Sequence, residues 1–416
     1  MRTNEERWIV VGRGVLVLAA GSWLAWAVSA LTASGDYMGR GPVGGDNAGP
    51  ILLALAHGHV SQAASLQPLM GLTSIVWRLP FVVLADLLGG SERLVYGLGA
   101  LACLLPAVGL VAWLARGAAS FRQLAFAALA GAAIVAGPAT SQAIRLGHPE
   151  EILGAVLAIL AVMTASKGRQ GWAAVLLGSA IATKQWALVA APCVLLALPD
   201  RRFAVAVGAV LVAGVAAIAL PLADPAAFAH AERVVGGGRV GGLYSLWSSL
   251  GLLSGKSAIS AIPAGLTRSQ ASAVALLPAL AVIWVYARRQ ASRRSRAVDV
   301  LPLLALLGLL RCVCDPNPWS YYFVPLIIPL AVWEAGTLKR LPLVTGLCCA
   351  ALSLGPSAGL TYWGGAGVAA SPIISFVWLG AVAGLACYLA RCAVGPDRGA
   401  LALRARPPQP ARAGYR

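Results

Sequence analysis

The stretch GHPEEILGAVLAILAVMTASKGRQGWAAVLLGSAIATKQWALVAAPCVLLALPDRR, residues 147–202, sets the architecture of the chain. It opens on a polar turn, His148-Pro149-Glu150-Glu151. An apolar run over 152–166 follows, then the basic turn Lys167-Gly168-Arg169. A second run over 171–183 stops at Lys184, a third covers 186–199, and Arg201-Arg202 closes the block. Apolar runs bounded by polar turns predict helices in a membrane, because a helix satisfies its own backbone hydrogen bonds where lipid offers none. The two short runs around Lys184 read as half-spans with a lysine at the turn between them.

The same pattern repeats outward in both directions. Hydrophobic residues make up 59% of the 416, mean hydropathy is +0.79, and only 11% are charged. Soluble chains carry about 25% charged residues, so a sizeable soluble domain is excluded. Spans are predicted near 8–33, 94–115, 123–141, 152–166, 171–183, 186–199, 203–222, 270–287, 299–312, 320–336, 342–355 and 371–392. The first run is too long for a signal-peptide core and has no clear cleavage site, so it is expected to be retained. The expected fold is all-α: a polytopic integral membrane protein of about twelve transmembrane helices.

One run complicates the count. Residues 69–88 are apolar but contain Arg78, Pro80 and Asp86. Charges within the bilayer are costly, so this segment is expected to be re-entrant or to lie on the outer surface. Both termini are then cytoplasmic, and about two thirds of the 32 Lys and Arg fall inside, as the positive-inside rule requires. The net charge of +17 is spread over these short basic turns and a Pro/Arg-rich tail. It therefore points to membrane lipid and not to nucleic acid. The eight cysteines lie mostly inside apolar runs, and Cys312-x-Cys314 alone is a weak metal signal, so neither a disulfide framework nor zinc is expected.

This topology sends the polar residues to one side. Asp36, Asp46, His57, His59, Arg78, Arg93, Arg145, His148, Glu150, Glu151, Lys184, His230, Arg239 and Asp315 all fall at the outer face. Charge bias does not sort histidines and carboxylates; a shared polar cavity does. The first outer loop, GDYMGRGPVGGDNAGP at 35–50, carries Asp36 and Asp46. Ile51, Leu52, Leu55 and Ala56 then fit an amphipathic helix ending near Gly58. The loop 223–268 is flexible around residues 236–242, and its Tyr244 and Trp247 suit stacking on a ring. The loop at 315–323 adds Asp315, Trp319, Tyr321 and Tyr322.

Two of these blocks carry a family resemblance. An acid after the first span, a short helix ending in Gly58-His59, and then Gln67-Pro68-Leu69 resembles the first outer loop of GT-C fold glycosyltransferases. The block 147–202 resembles the core of glycosyltransferase family 87. The resemblance implies transfer of a sugar, mannose or arabinose, from a polyprenyl-phosphate donor to a glycolipid or glycan acceptor of the envelope. It also implies inversion at the anomeric carbon and no cofactor or metal. Asp46 is the first choice for the base and Asp36 the second; a carboxylate within hydrogen-bond reach of the nucleophile suits that role. Lys184, Arg93, Arg145 and Arg239 are the donor-phosphate candidates. His57, His59, His148, Glu150, Tyr244, Trp247, Asp315, Tyr321 and Tyr322 are the substrate-binding candidates.

Each residue also has a plainer role. Asp46 suits a helix N-cap, Glu150 and Glu151 suit the first turn of a helix, and Tyr321 and Tyr322 suit an interfacial aromatic belt. Expected organisation is a catalytic module at 1–222 with its outer loop 34–93, a possible lid at 223–268, a second helical module at 269–392 and a basic cytoplasmic tail at 393–416. The Ala-, Gly- and Arg-rich composition points to the cell membrane of a high-GC bacterium. A secondary transporter or lipid flippase is the rival reading, and a structural membrane subunit the third.

Overall fold

The computed structural model describes residues 4–34, 49–66, 71–198, 200–236, 245–247, 250, 274, 276–290, 297–315, 319–354 and 366–394. Among them every regular element is helical. The helices are α1 (Asn4–Ser34), α2 (Gly49–Ala56), α3 (Val60–Leu66), α4 (Leu72–Leu87), α5 (Glu92–Arg116) and α6 (Phe121–Val135). Then come α7 (Pro138–Arg145), α8 (Glu150–Ser166), α9 (Gln170–Thr183), α10 (Ala191–Ala197), α11 (Arg202–Ala223) and α12 (Pro225–Gly236). The C-terminal part holds α13 (Leu276–Gln290), α14 (Ala297–Cys314), α15 (Val324–Ala331), α16 (Leu343–Leu354) and α17 (Ala366–Val394). Five segments of the described chain are long and apolar enough to cross a membrane: 4–30, 93–116, 121–145, 202–223 and 376–393. The remaining apolar helices are shorter. This is the pattern of a helical membrane protein.

Burial sorts the helices into a centre and a rim. Every residue of α8 is buried except Leu160, Thr164 and Ser166, and α14 and α15 are buried along almost their whole described length. A helix that is apolar all round belongs in the interior of such a bundle. By contrast, only 17%, 12% and 11% of the most apolar windows of α1, α11 and α17 are buried. Their outward faces carry Trp8, Leu18, Trp26, Val210, Leu211, Val215 and Val377, all exposed. An apolar surface that large is stable only against lipid or another apolar partner.

Three predicted spans are broken. The run 123–141 divides into α6 and α7 because Gly137 is extended ahead of Pro138 (ψ 160°), and a residue before proline is driven out of the helical region. The run 186–199 starts as the 3-10 segment Gln185–Ala190 before becoming α10. The run 320–336 is a 3-10 turn (Ser320–Phe323), then α15, then a π-helical turn (Val332–Thr337). The segment 69–88 holds α4, which packs antiparallel on α5: Trp77 donates to the Ala102 carbonyl, Arg78 reaches Cys103, and Val82 lies against Gly99. Its 16 residues extend about 24 Å, short of a hydrocarbon core of roughly 30 Å.

The bundle has two distinct ends. At one, Arg13 donates to the Ala118 carbonyl, Gly117 meets Lys339, and Gly336 packs on Trp113. At the other, Gly97 lies against Thr32 and Val28, Tyr96 donates to the Ile144 carbonyl, and His148 stacks on Tyr321.

Candidate functional site

The second end is built by two local breaks in the helices and by the docking of α4 on one of them. The α7 helix stops in a Schellman closure, with His148 N–H bonded to the Ala143 carbonyl and Gly147 N–H to that of Ile144. Gly147 takes φ +79°, the left-handed conformation such a cap requires. The chain leaves it through His148 and Pro149 and enters α8, with Glu150 and Glu151 in the first turn, where the helix dipole favours carboxylates.

Helix α9 runs back along α8 and ends at Thr183. Lys184 is extended (φ −149°, ψ 126°), and the chain resumes as a 3-10 turn. That break swings Lys184 and Trp186 onto the first turn of α8. A Cβ at Gly71 would overlap the Ala182 carbonyl, so only glycine lets the start of α4 dock on the end of α9. Gly71 N–H bonds the Thr183 carbonyl there.

These breaks assemble an ionic cluster around Glu150. One carboxylate oxygen accepts from Arg78 Nη2 at 2.6 Å. The other lies 3.1 Å from His148 Nδ1 and 3.0 Å from Lys184 Nζ. Glu151 lies 3.4 Å from Lys184 Nζ and accepts from Trp186 Nε1 at 2.5 Å. Arg78 also donates to Cys103 Sγ at 3.1 Å. The Glu150 and Arg78 side chains are 0% and 2% exposed, whereas His148 and Lys184 are 11% and 16% exposed. Burial alone would raise the Glu150 carboxyl. Lys184, the His148 hydrogen bond and Arg78 more than offset it and hold it well below the usual carboxylate range. Burial would lower Lys184; Glu150 and Glu151 overcome that and raise it above the ordinary lysine value.

Aromatic residues from the far C-terminal part close over the cluster. Tyr321 stacks on His148 with ring centroids 4.8 Å apart, and Tyr322 meets Tyr321 edge-on at 4.7 Å. The Arg311 guanidinium lies over the Tyr322 ring at 4.2 Å. Trp247, predicted to stack on a ligand ring, is itself buried and donates to the Cys314 carbonyl at 2.8 Å, next to buried Asp315.

No family model, curated protein or solved structure matches the chain. The site therefore stands on its own geometry.

Of the predicted site residues, His148, Glu150, Lys184, Tyr321 and Tyr322 come together, with Trp247 and Asp315 at the adjoining end of α14. Glu150 has no surface left for a ligand: it is the hub that the others meet. Arg93 and Arg145 are exposed at this end, and no ion pair among the described residues involves either. His57 and His59 are exposed on the α2–α3 turn, where His57 pairs with Asp86 at 3.0 Å. Asp36, Asp46, Arg239 and Tyr244 lie outside the described residues. Arg78 and Glu151, placed at the outer face by sequence but not among the site candidates, are integral to the cluster. Arg78 carried a signal, a charge within an apolar run. Arg311 and Trp186 carried none, since arginine at a helix end and tryptophan after a lysine are ordinary there.

Proposed function

We propose that this chain is a multi-pass cell-membrane glycosyltransferase of the GT-C class. It has about twelve spans, cytoplasmic termini and its active site at the outer face. It transfers a sugar, mannose or arabinose, from a polyprenyl-phosphate carrier to an envelope glycolipid or glycan. The observation that carries the reading is the Lys184 cluster, because a membrane bundle has no packing need to collect two carboxylates, a lysine, an arginine and a histidine from three distant segments. Ionisable groups gathered among the ends of apolar spans mark function by default.

The described elements that flank the two candidate bases in sequence, α1 and α2, meet α5 at that same end. The last turns of α1 lie against Gly97, and Leu52 of α2 against Gly99. In the reaction Asp46, or Asp36, accepts the proton of the acceptor hydroxyl. The acceptor oxygen forms its bond to the anomeric carbon as the bond from that carbon to the phosphate oxygen breaks, and the electron pair leaves with the polyprenyl phosphate. Lys184 meets the charge that develops on the leaving phosphate. An ammonium has three N–H donors. Its nitrogen lies 3.0 Å from Glu150 and 3.4 Å from Glu151, so the two carboxylates position Lys184 while its side chain stays 16% exposed.

The test is mass spectrometry of envelope glycolipids and glycans from a deletion strain. It is complemented with wild type, Asp46→Asn or Asp36→Asn at matched expression. Wild type restores a missing glycoform and one of the two aspartate variants does not. A deletion that changes no glycan sinks the proposal. One observation favours the rival transporter reading: α9 is interrupted at Lys184, and discontinuous helices beside buried charge are a transporter feature. On that reading solute uptake or lipid translocation is lost with Lys184→Gln, while every glycan stays in place.

A further inference from the structure

The cluster is layered by charge. Its carboxylates form the back: Glu150, Glu151 and Asp315 are 0%, 2% and 6% exposed. Arg78 is buried among them. Two other cations are less deeply buried, Lys184, 16% exposed at its side chain, and the half-buried Arg311. A run of contacts joins the two: Arg311 lies over the Tyr322 ring, Tyr322 meets Tyr321, Tyr321 stacks on His148, and His148 shares a Glu150 oxygen with Lys184. Summed over Arg78, Lys184, Arg311, Glu150, Glu151 and Asp315 the formal charges cancel. The separation in depth still leaves a positive face.

Arg311 differs from the other cations. None of the ion pairs among the described residues involves it. One described hydrogen bond is a long contact, Nη1 to the Tyr322 carbonyl at 3.5 Å, which is weak by geometry, and the neighbouring Cys312 thiol is another partner. The contact with the Tyr322 ring, 4.2 Å from the guanidinium carbon to the ring centroid, positions Arg311 through its charge and needs none of its N–H donors. A fork of donors on a fixed plane matches the oxygens of a phosphate.

We propose that Lys184 and Arg311 form a two-cation receptor for a phosphate group, with Glu150 and Glu151 as the buried layer that holds Lys184 in place. This deepens the transferase reading by naming the residue, on a distant helix, that meets the phosphate together with Lys184. The phosphate chemistry is shared by a polyprenyl monophosphate, a phospholipid headgroup and inorganic phosphate, so the experiment separates them.

The full chain, purified in detergent, is titrated with polyprenyl monophosphate, phosphatidylglycerol and inorganic phosphate, and binding is read from the melting shift and by native mass spectrometry. Polyprenyl monophosphate binds wild type. Arg311→Gln weakens it at least about tenfold, and Arg122→Gln, an exposed charge beyond the other end, changes it less than about twofold. Arg311→Lys keeps the charge and loses the planar fork. If the Gln variant does not fold, the Lys variant decides: at least about threefold weaker binding supports the receptor, and wild-type affinity overturns it. Arg311-dependent displacement by inorganic phosphate assigns recognition to the phosphate alone, and equal Arg311-dependent binding of phosphatidylglycerol widens the ligand to membrane phosphodiesters. Wild-type affinity in Arg311→Gln, or no binding of any of the three, overturns the receptor. Phosphate binding in a protein whose deletion alters no glycan leaves the receptor standing and removes the transferase reading. Loss of glycan on deletion, fully restored by Arg311→Gln, does the reverse.

Discussion

Among the described residues two buried glutamates each meet an arginine, Glu150 at one end of the bundle and Glu334 at the other, and they are satisfied in opposite ways. Glu334 is served locally. Its carboxylate accepts from Thr345 N–H and Oγ1 at 2.9 Å each, more weakly from Val344 N–H at 3.4 Å, and from Arg340 at 3.1 Å. It caps the start of α16, and Arg340, 35% exposed at its side chain, also donates to Tyr388 and so ties in α17. Glu150 receives no backbone donor in the described structure. Its partners are the side chains of Arg78, His148 and Lys184, drawn from α4, the α7–α8 turn and the break after α9. Backbone N–H groups that must be satisfied explain Glu334 as architecture. Nothing of that kind explains Glu150, and this is why the candidate site lies at its end.

The sharpest way to break the comparison is to delete each carboxylate. Glu150→Ala leaves the buried Arg78 without a counter-charge and Lys184 with Glu151 alone, and is expected to cost about 3–5 kcal/mol, read as a lower melting temperature in detergent or as failure to accumulate. Glu334→Ala leaves helix-start N–H groups unpaired beside an arginine that water can reach, and should cost about 1–3 kcal/mol. Equal losses would erase the distinction.

Next in size is the acid limb of stability. The folded Glu150 carboxyl titrates below its unfolded value, so its contribution is complete above the unfolded pKa of about 4.3. It is lost as pH falls from there through the lower folded value. Melting followed from pH 7 down to about 3 should therefore fall more steeply in wild type than in Glu150→Gln. Lys184 has the opposite sign: its contribution is complete below the ordinary lysine value and is lost only as pH rises through its raised one. Trp186→Phe, which removes the N–H donated to Glu151, should cost about 1.5–3 kcal/mol, read from chemical or thermal denaturation. The smallest effect tests the outlying histidine: His57→Ala breaks a pair with Asp86 whose side chains are 47% and 31% exposed. It should change stability by less than about 1 kcal/mol.

Much of the helical pattern was legible because apolar runs and polar turns report directly on burial. The α2 helix runs Gly49–Ala56 with Ile51 and Leu52 inward, and Gly58 turns the chain at φ +74°. The breaks were less legible. The Gly137-Pro138 interruption sat inside a continuous apolar run, where hydropathy is blind to backbone conformation. The extended Lys184 was visible only as a lysine between two short runs. The site was legible in part: His148, Glu150 and Lys184 follow from their positions at turns. Their mutual distances do not, nor does the arrival of Arg78 and Arg311 from segments 72 and 161 positions away from Glu150.

By itself the sequence determined that this chain is helical and apolar enough to live in a membrane, and that its charges cluster at turns. Those properties depend on composition and on spacing along one strand of chain. Only the tertiary structure decided that Glu150 is a hub without a free oxygen, that Lys184 is a less deeply buried member, and that Arg311 lies over the Tyr322 ring. Those facts depend on which helix ends meet in space, and the packing of α4, α8, α9 and α14 sets them.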